Sequence, residues 1–151
     1  MAWADPAPEW KEYENPHVGI HLTVKRAWTE IFFKETAETG SVTFALSSQP
    51  HATVSIFRQK ADYPFEVWVS SEVLLQVYVP GYKQSAPARF AGRSCIKVVG
   101  TSRDKEGRRE ETYFSSRPPF VDQITFSAPE EAWPAAEPDF AVLRKSIRWT
   151  R

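Results

Sequence analysis

The sequence has few of the residues on which the commonest protein chemistries depend. Its 151 residues include one cysteine, Cys95, together with six glycines and three histidines. A single cysteine excludes an internal disulfide and a cysteine-rich zinc site. The sequence also has no glycine-rich phosphate loop, no Gly-x-Ser-x-Gly motif and no His-Glu-x-x-His motif. The usual motifs of nucleotide-binding proteins, serine hydrolases and zinc proteases are therefore absent from this chain.

An excess of charge of either sign is also missing. Lysine and arginine together number 19, as do aspartate and glutamate, so the formal net charge is zero. Nucleic-acid-binding proteins usually carry a basic surplus, and we therefore expect no nucleic-acid partner. No apolar run approaches the roughly 20 residues of a membrane helix. The first residues lack the basic and apolar segments of a signal peptide. As it stands the sequence predicts a cytoplasmic protein, or a periplasmic or lipid-anchored one if a signal segment was removed.

Apolar and aromatic residues, in contrast, are plentiful. They make up 42% and 14% of the chain, which is enough for a hydrophobic core. A chain of this length most often forms one domain. The first eight residues are rich in alanine and proline. We therefore predict a flexible or loosely packed leader over residues 1–12 and a single α+β domain over residues 13–151.

The clearest local pattern lies in residues 17–25, where apolar and polar residues alternate. This period of two predicts a half-buried strand. Its core-facing residues are Val18, Ile20, Leu22 and Val24, bracketed by Tyr13 and Trp28. His17 and His21 lie on the opposite face, about 13 Å apart at ~3.3 Å per residue. Two histidines so far apart cannot bind one ion directly, so we predict no metal site.

The remaining pattern is mostly that of strands. Further strands are predicted over residues 30–34, 42–46, 53–59, 88–90, 94–102, 112–115 and 120–127, with a short one at Trp149. A helix is predicted from Pro138, since Phe140, Leu143 and Ile147 form one helical stripe. Residues 62–82 fit either a helix or a strand. This order favours an α+β fold built on a largely antiparallel sheet.

Three stretches together resemble the PsbP-like superfamily, which includes PsbP, the Mog-type proteins and the bacterial DcrB-like proteins. They are Tyr13-Glu-Asn-Pro-His-Val-Gly-Ile20 with Trp28, Ala91-Gly92-Arg93 followed by Glu111-Thr-Tyr-Phe114, and residues 122–128 followed by the segment from Phe140 to Trp149. The resemblance covers nearly the whole chain. It implies a central antiparallel sheet flanked by helices, an α/β/α sandwich, and favours a helix within residues 62–82. It also implies a non-enzymatic accessory or chaperone-like protein, with no catalytic residue to carry over.

Exposed aromatic residues are the best functional lead from the residues themselves. Trp3, Trp10 and Trp133 lie in proline-rich stretches, and tryptophan is enriched in binding hot spots. They serve either as partner contacts or as packing against the sheet edges. The charged run over residues 103–111 predicts a hairpin loop, which is either a solvated loop or a recognition loop. Its Arg108 and Arg109 complete the predicted partner-binding set.

Catalysis has only weak candidates in this sequence. Cys95 lies between Arg93 and Lys97, and neighbouring cations can activate a thiol, yet cysteine is also a common small core residue. We expect no enzyme activity, no cofactor and no catalytic residue. The predicted function is a non-enzymatic module that binds another protein, as a monomer or a homodimer. The alternative is a carrier of small apolar ligands, with a pocket between helix and sheet.

Overall fold

The structure, a computed structural model, describes residues 9–46, 51–60, 64–67, 82–102 and 108–150. Within them the chain forms ten strands and one long helix, with no helix long and apolar enough to cross a membrane. The strands are β1 (Trp10–Asn15), β2 (Ile20–Lys25), β3 (Thr29–Lys34), β4 (Gly40–Ala45), β5 (Thr53–Lys60), β6 (Tyr82–Phe90), β7 (Arg93–Ser102), β8 (Arg108–Arg117), β9 (Phe120–Pro129) and β10 (Arg148–Trp149). The helix is α1 (Trp133–Ser146), which follows a single 3-10 turn at Glu130–Ala132.

The strands form two antiparallel sheets. Seven of them build the large sheet in the order β3-β4-β5-β9-β8-β7-β6, and β1-β2-β10 build the small one. Helix α1 packs against β2 and β9 and so lies with the small sheet on one face of the large sheet. The predicted antiparallel sheet is confirmed. On the other face, residues 65–67 are helical, but the rest of the ambiguous segment 62–82 lies outside the described residues until β6 begins at Tyr82.

The core lies between the large sheet, the small sheet and α1. The alternating apolar residues of the strand predicted over residues 17–25 are all buried, with exposures of 0% to 1%: Val18, Ile20, Leu22 and Val24. Phe44 of β4 lies beneath them and contacts the rings of Tyr13 and Trp28 at 5.0 and 6.5 Å between centroids. The predicted bracketing of this strand by the two aromatic residues is therefore confirmed.

Strand β2 begins at Ile20, three residues later than predicted. Gly19 has a φ of +69°, a left-handed conformation that glycine tolerates and an extended strand does not contain. His17 therefore lies in the turn between β1 and β2, whereas His21 lies on β2. The two histidines do not share one strand, and the separation derived from strand spacing does not apply to them.

A buried ion pair joins the two sheets. Asp122, which is fully buried, accepts hydrogen bonds from Nε and Nη2 of Arg117 at 2.5 and 2.9 Å. The same guanidinium donates to the carbonyl oxygens of Val18, Gly19 and Thr150. Because five acceptors satisfy this one cation, its desolvation is offset and the small sheet is locked onto the β8–β9 hairpin.

Other predicted boundaries also differ from the observed ones. Residues 10–12 belong to β1 rather than to a loose leader, and residues 1–8 lie outside the described residues. Arg108 to Glu111 belong to β8 rather than to a hairpin loop, because β8 pairs along its whole length with β9. Helix α1 begins at Trp133, five residues before Pro138, since Pro134 lies in its first turn, where the missing N–H costs nothing.

Candidate functional site: an exposed sheet edge

Strand β3 exposes three consecutive apolar residues at one edge of the large sheet. The exposed fractions are 62% for Ile31, 44% for Phe32 and 61% for Phe33. All six residues of β3 pair with β4 in an unbroken register, and none of the described strands pairs with its other side. We call Thr29–Lys34 the β3 edge. Soluble proteins usually protect such an edge with proline, bulges or many charges, and β3 has no proline and no bulge.

The local sequence explains why this segment is a strand although it is exposed. Isoleucine, phenylalanine and threonine favour the extended conformation. Gly40 of β4 lets the two strands approach, because a Cβ atom there would lie 2.5 Å from the carbonyl oxygen of Phe33. On the side of the small sheet, the ring of Phe32 meets the ring of His17 edge to face at 5.6 Å. The edge is therefore held in place from behind, while no described strand pairs with its outer side.

A polar contact also ties β3 to the small sheet. The hydroxyl of Tyr13 on β1 donates a short hydrogen bond to Glu30, and the side-chain amide of Asn15 donates to the same hydroxyl at 3.0 Å. Burial and the bond to Glu30 raise the pKa of Tyr13 to about 12. The phenol therefore stays protonated at neutral pH and remains a donor to the carboxylate.

The apolar surface of β3 continues across the back of the sheet, away from α1. Pairing aligns Phe33 with Ser41 and then with the half-exposed Phe57 of β5. The neighbouring row is made of hydroxyl side chains, contributed by Thr43, Ser55, Thr125 and Thr112. Two pairs within this row bond to each other, at 3.1 and 3.0 Å. The back of the sheet near β3 is thus partly apolar and partly covered by hydroxyls that bond within the sheet.

The predicted tryptophans lie elsewhere. Trp133 is buried, 7% exposed, and its ring packs on Phe140 at 5.1 Å, so the expectation that it is exposed is wrong. Trp10 is half-buried on β1 and meets Trp28 edge to face at 5.5 Å. Trp3 lies outside the described residues. The described tryptophans of the predicted set therefore pack against the core, and a partner contact by Trp10 stays a prediction.

The predicted arginines are strand residues with partners inside the protein. Arg108 donates to the hydroxyl of Ser127 at 2.5 Å. Arg109 binds Glu111 at 2.8 Å and lies over the ring of Trp133 at 4.6 Å. These contacts place Arg109 with Trp133 but bring neither arginine to Trp10. The middle of the charged run, residues 103–107, lies outside the described residues.

The histidines and the cysteine do not form a reactive cluster. His17 bonds through Nε2 to the carbonyl oxygen of Thr39, and His21 lies 3.5 Å from a carboxylate oxygen of Glu12. Cys95 is 3% exposed, and burial raises the pKa of its thiol despite the nearby Lys97. In the part of the chain that the structure describes, no three histidine, cysteine or acidic side chains are grouped as a metal site requires.

An open groove lies at the opposite side of the large sheet. Its volume is about 700 Å³, and it runs between the helical residues 65–67 and strands β6 and β7. The described residues that line it are Phe65, Glu66, Pro87, Ala88, Arg89, Ser94, Cys95, Ile96 and Ser116. The groove lies between helix and sheet, where the carrier alternative places its pocket, and Phe65 is the one aromatic residue among the described residues that line it.

Sequence comparison finds no relative for this chain: no protein-family model matches it, and no curated protein does. Solved structures do match. Cyanobacterial PsbP (CyanoP) from Synechocystis sp. PCC 6803 has a TM-score of 0.66 at 11% identity, covering 99% of this chain and 98% of the other. LpqN of Mycobacterium tuberculosis, described as involved in cell envelope biogenesis, has a TM-score of 0.57 at 16% identity over 95% and 93%. PA94 of Pseudomonas aeruginosa, a protein of unknown function, has a TM-score of 0.54 at 18% identity over 89% and 92%.

The likeness extends over almost the full length of this chain and of all three proteins. The chain therefore has the PsbP-like fold, and the resemblance inferred from its sequence is confirmed at the level of the fold. The exposed β3 edge was missed in the sequence, although a signal was present. Ile31, Phe32 and Phe33 break the alternation of a half-buried strand, which indicates either a strand covered on both faces or one that leaves apolar side chains exposed.

Proposed function

We propose that this protein is a non-enzymatic accessory module that binds another protein chain through the β3 edge. One observation carries the proposal, the three exposed apolar side chains on an edge strand without proline or bulge. An extended segment of a partner can add to such an edge, gaining main-chain hydrogen bonds for affinity and side-chain contacts for specificity. The likeness of the fold to CyanoP and LpqN supports an accessory role.

The attachment of β3 to the small sheet supports the same conclusion. Tyr13 holds Glu30, and His17 packs on Phe32, so the strand is already ordered before a partner arrives. Binding to an ordered edge loses less conformational entropy than binding to a loop that must first fold. The buried, protonated thiol of Cys95 supports a non-enzymatic role because a thiol is a poor nucleophile.

Photo-crosslinking tests the proposal. A photoreactive phenylalanine replaces Phe33 on β3, and a matched variant carries it at Arg89, an exposed residue of β6. We expect a reproducible cross-linked protein from the Phe33 position that is lost when Ile31→Lys is added. No such product is expected from the Arg89 position. Equal products from both positions, or none from either, contradict the proposal. Fractionation of the same cells tests the predicted cytoplasmic location against a periplasmic or membrane-anchored one.

A carrier of small apolar ligands is the second candidate function, favoured by the volume of the groove beside β6. About 700 Å³ lies within the range of ligand-binding pockets, roughly 300–1,000 Å³. Displacement of a fluorescent fatty acid tests it, with Ile96→Glu as the variant that places a charge in the groove. Saturable binding that this variant abolishes supports the carrier. Binding that survives the variant, or no binding, argues against it.

A further inference from the structure

The order of charged and apolar residues along the β3 edge is self-complementary. Its sequence is Thr29-Glu30-Ile31-Phe32-Phe33-Lys34, with a carboxylate and an ammonium placed two residues to either side of Phe32. We propose that the partner of this edge is a second copy of the same chain. The two β3 strands pair antiparallel about a two-fold axis through Phe32, which joins the two large sheets into one. The proposal rests on the proposed function, since it names the occupant of the same edge.

Symmetry limits how two copies of an edge strand can pair. An antiparallel continuation of a sheet needs a two-fold axis perpendicular to the sheet, so that residues opposite each other project from the same face. One residue must then lie on the axis and face its own copy. With Phe32 on the axis, Ile31 pairs with Phe33, and Glu30 pairs with Lys34. Each of these two pairs occurs twice in the dimer.

The other axis positions within the edge are less favourable. An axis through Ile31 sets Glu30 against Phe32, and an axis through Phe33 sets Lys34 against Phe32. An axis through Glu30 sets two carboxylates against each other, which is destabilising. Only the axis through Phe32 matches apolar residues with apolar residues and opposite charges with each other, and cross-strand pairs of these kinds stabilise sheets.

The two faces of β3 fit this register. Glu30, Phe32 and Lys34 lie on the face next to the small sheet, and Ile31 and Phe33 lie on the back of the sheet. In the dimer the two copies of Phe32 meet at the centre of one face with a charge pair on each side. On the other face, two Ile31–Phe33 pairs form a continuous apolar strip. Each of the three large exposed apolar side chains of β3 thereby gains an apolar neighbour across the interface.

Sedimentation of the purified chain from about 10 μM to 1 mM is the first measurement, since edge contacts of this size bind in the micromolar range or weaker. We expect a monomer–dimer equilibrium. Ile31→Lys is expected to weaken the dimer at least about tenfold, because it sets a lysine against Phe33 of the other copy in both pairs. Ala86→Lys on β6 is the matched control and leaves the dimer unchanged. Thermal unfolding of each variant verifies that it folds.

A cysteine placed on the axis tests the register. In the Cys95→Ala background, Phe32→Cys brings two thiols together across the axis, with Cα atoms about 4.5–5.5 Å apart. This separation lies within the range of disulfides, so mild oxidation is expected to link the two chains. Thr29→Cys in the same background is the control. Its two copies lie about 20 Å apart in this register, since six residues separate each from the position opposite the other.

Charge reversal gives a third test that folding defects cannot imitate. Glu30→Lys alone sets lysine against Lys34, and Lys34→Glu alone sets glutamate against Glu30, so each variant is expected to be more monomeric. When the two variants are mixed, both opposite-charge pairs are restored and a heterodimer is expected. High salt is expected to reduce these differences because both pairs face solvent.

The outcomes separate this proposal from the proposed function. A chain that stays monomeric at 1 mM, or a dimer that is unaffected by Ile31→Lys, overturns pairing with a second copy. So does equal disulfide formation at positions 29 and 32. If the chain is monomeric but the photoreactive residue at position 33 captures a different protein, the edge still binds a partner and only its identity as a second copy fails. If position 33 captures nothing and the chain is monomeric, both proposals fail.

Discussion

The two outer strands of the seven-stranded sheet, β3 and β6, end it in different ways. Strand β3 pairs in an unbroken register and exposes all six of its residues, three of them large and apolar. Strand β6 carries Pro87, its register shifts between Tyr82 and Gln84, and the helical residues 65–67 lie across the groove beside it. A proline cannot donate to a new neighbour, and an irregular register opposes continuation of the sheet.

The comparison shows one edge strand that is protected against further pairing, β6, and one that is not, β3. Both edges belong to one sheet, so both risk unwanted pairing, and β6 shows how this chain avoids it. Strand β3 has neither a proline nor a bulge. Both edges of the sheet are nevertheless anchored in the core, since Phe44 next to β3 and Phe90 on β6 are both buried. An unprotected edge on a well-anchored strand is typical of a surface that another chain covers.

The largest expected effect on stability comes from the two buried phenylalanines that anchor the edges of the large sheet in the core. Phe44→Ala removes a ring that is 1% exposed beneath Tyr13 and Trp28, and Phe90→Ala removes one that is 4% exposed against Tyr113. Each is expected to lower the free energy of unfolding by about 3–5 kcal/mol, the cost of a large cavity in a packed core. Urea unfolding measures both. A loss below about 1 kcal/mol at either site shows that this end is not anchored as described.

The next largest effect on stability is expected at the buried Arg117–Asp122 pair, which fixes the small sheet to the large one. Asp122→Asn leaves the Arg117 cation buried with a neutral partner, and we expect a loss of about 3 kcal/mol. Lys60→Gln, which removes an exposed cation 3.8 Å from the exposed Glu38, is the matched control and is expected to cost less than about 1 kcal/mol. Equal losses in urea unfolding contradict a special role of the buried pair.

A smaller effect follows from the pKa of Tyr13. The folded value of about 12 lies above the ordinary value of 10. The folded state therefore holds this proton more tightly, so its contribution to stability is complete below pH 10 and is lost as the pH rises towards 12. Because the ring is half-exposed and solvent screens the interaction, we expect the loss to be about 1 kcal/mol. Unfolding of wild type and Tyr13→Phe measured across this window tests it. A variant that loses as much as wild type shows that another group is responsible.

The smallest effect on stability is expected on the outer side of β3. Phe33→Ala removes a side chain that is 61% exposed and should change the free energy of unfolding by less than about 0.5 kcal/mol in dilute monomer. Association is expected to weaken in the same variant. A large loss of monomer stability contradicts the view that this side chain serves a partner rather than the fold.

Much of the fold follows from local pattern. The alternation around Ile20, Leu22 and Val24 predicts a buried strand because side-chain direction reverses at each residue, whatever the rest of the chain does. The helical stripe of Phe140 and Leu143 is equally local. Boundaries were less accurate where one residue changes the backbone, as Gly19 does at the start of β2, or where a proline such as Pro134 fits the first turn of a helix.

Only part of the candidate site could be predicted from the sequence. That residues 30–34 form a strand follows from their side chains. That this strand is an edge, and that its apolar residues face water while Trp133 does not, depends on strand order. Strand order is set by contacts between residues far apart in the chain, which no local pattern encodes. The sequence alone thus determined most of the strands and much of the core, and the tertiary structure decided which strand lies at the edge with its apolar residues exposed.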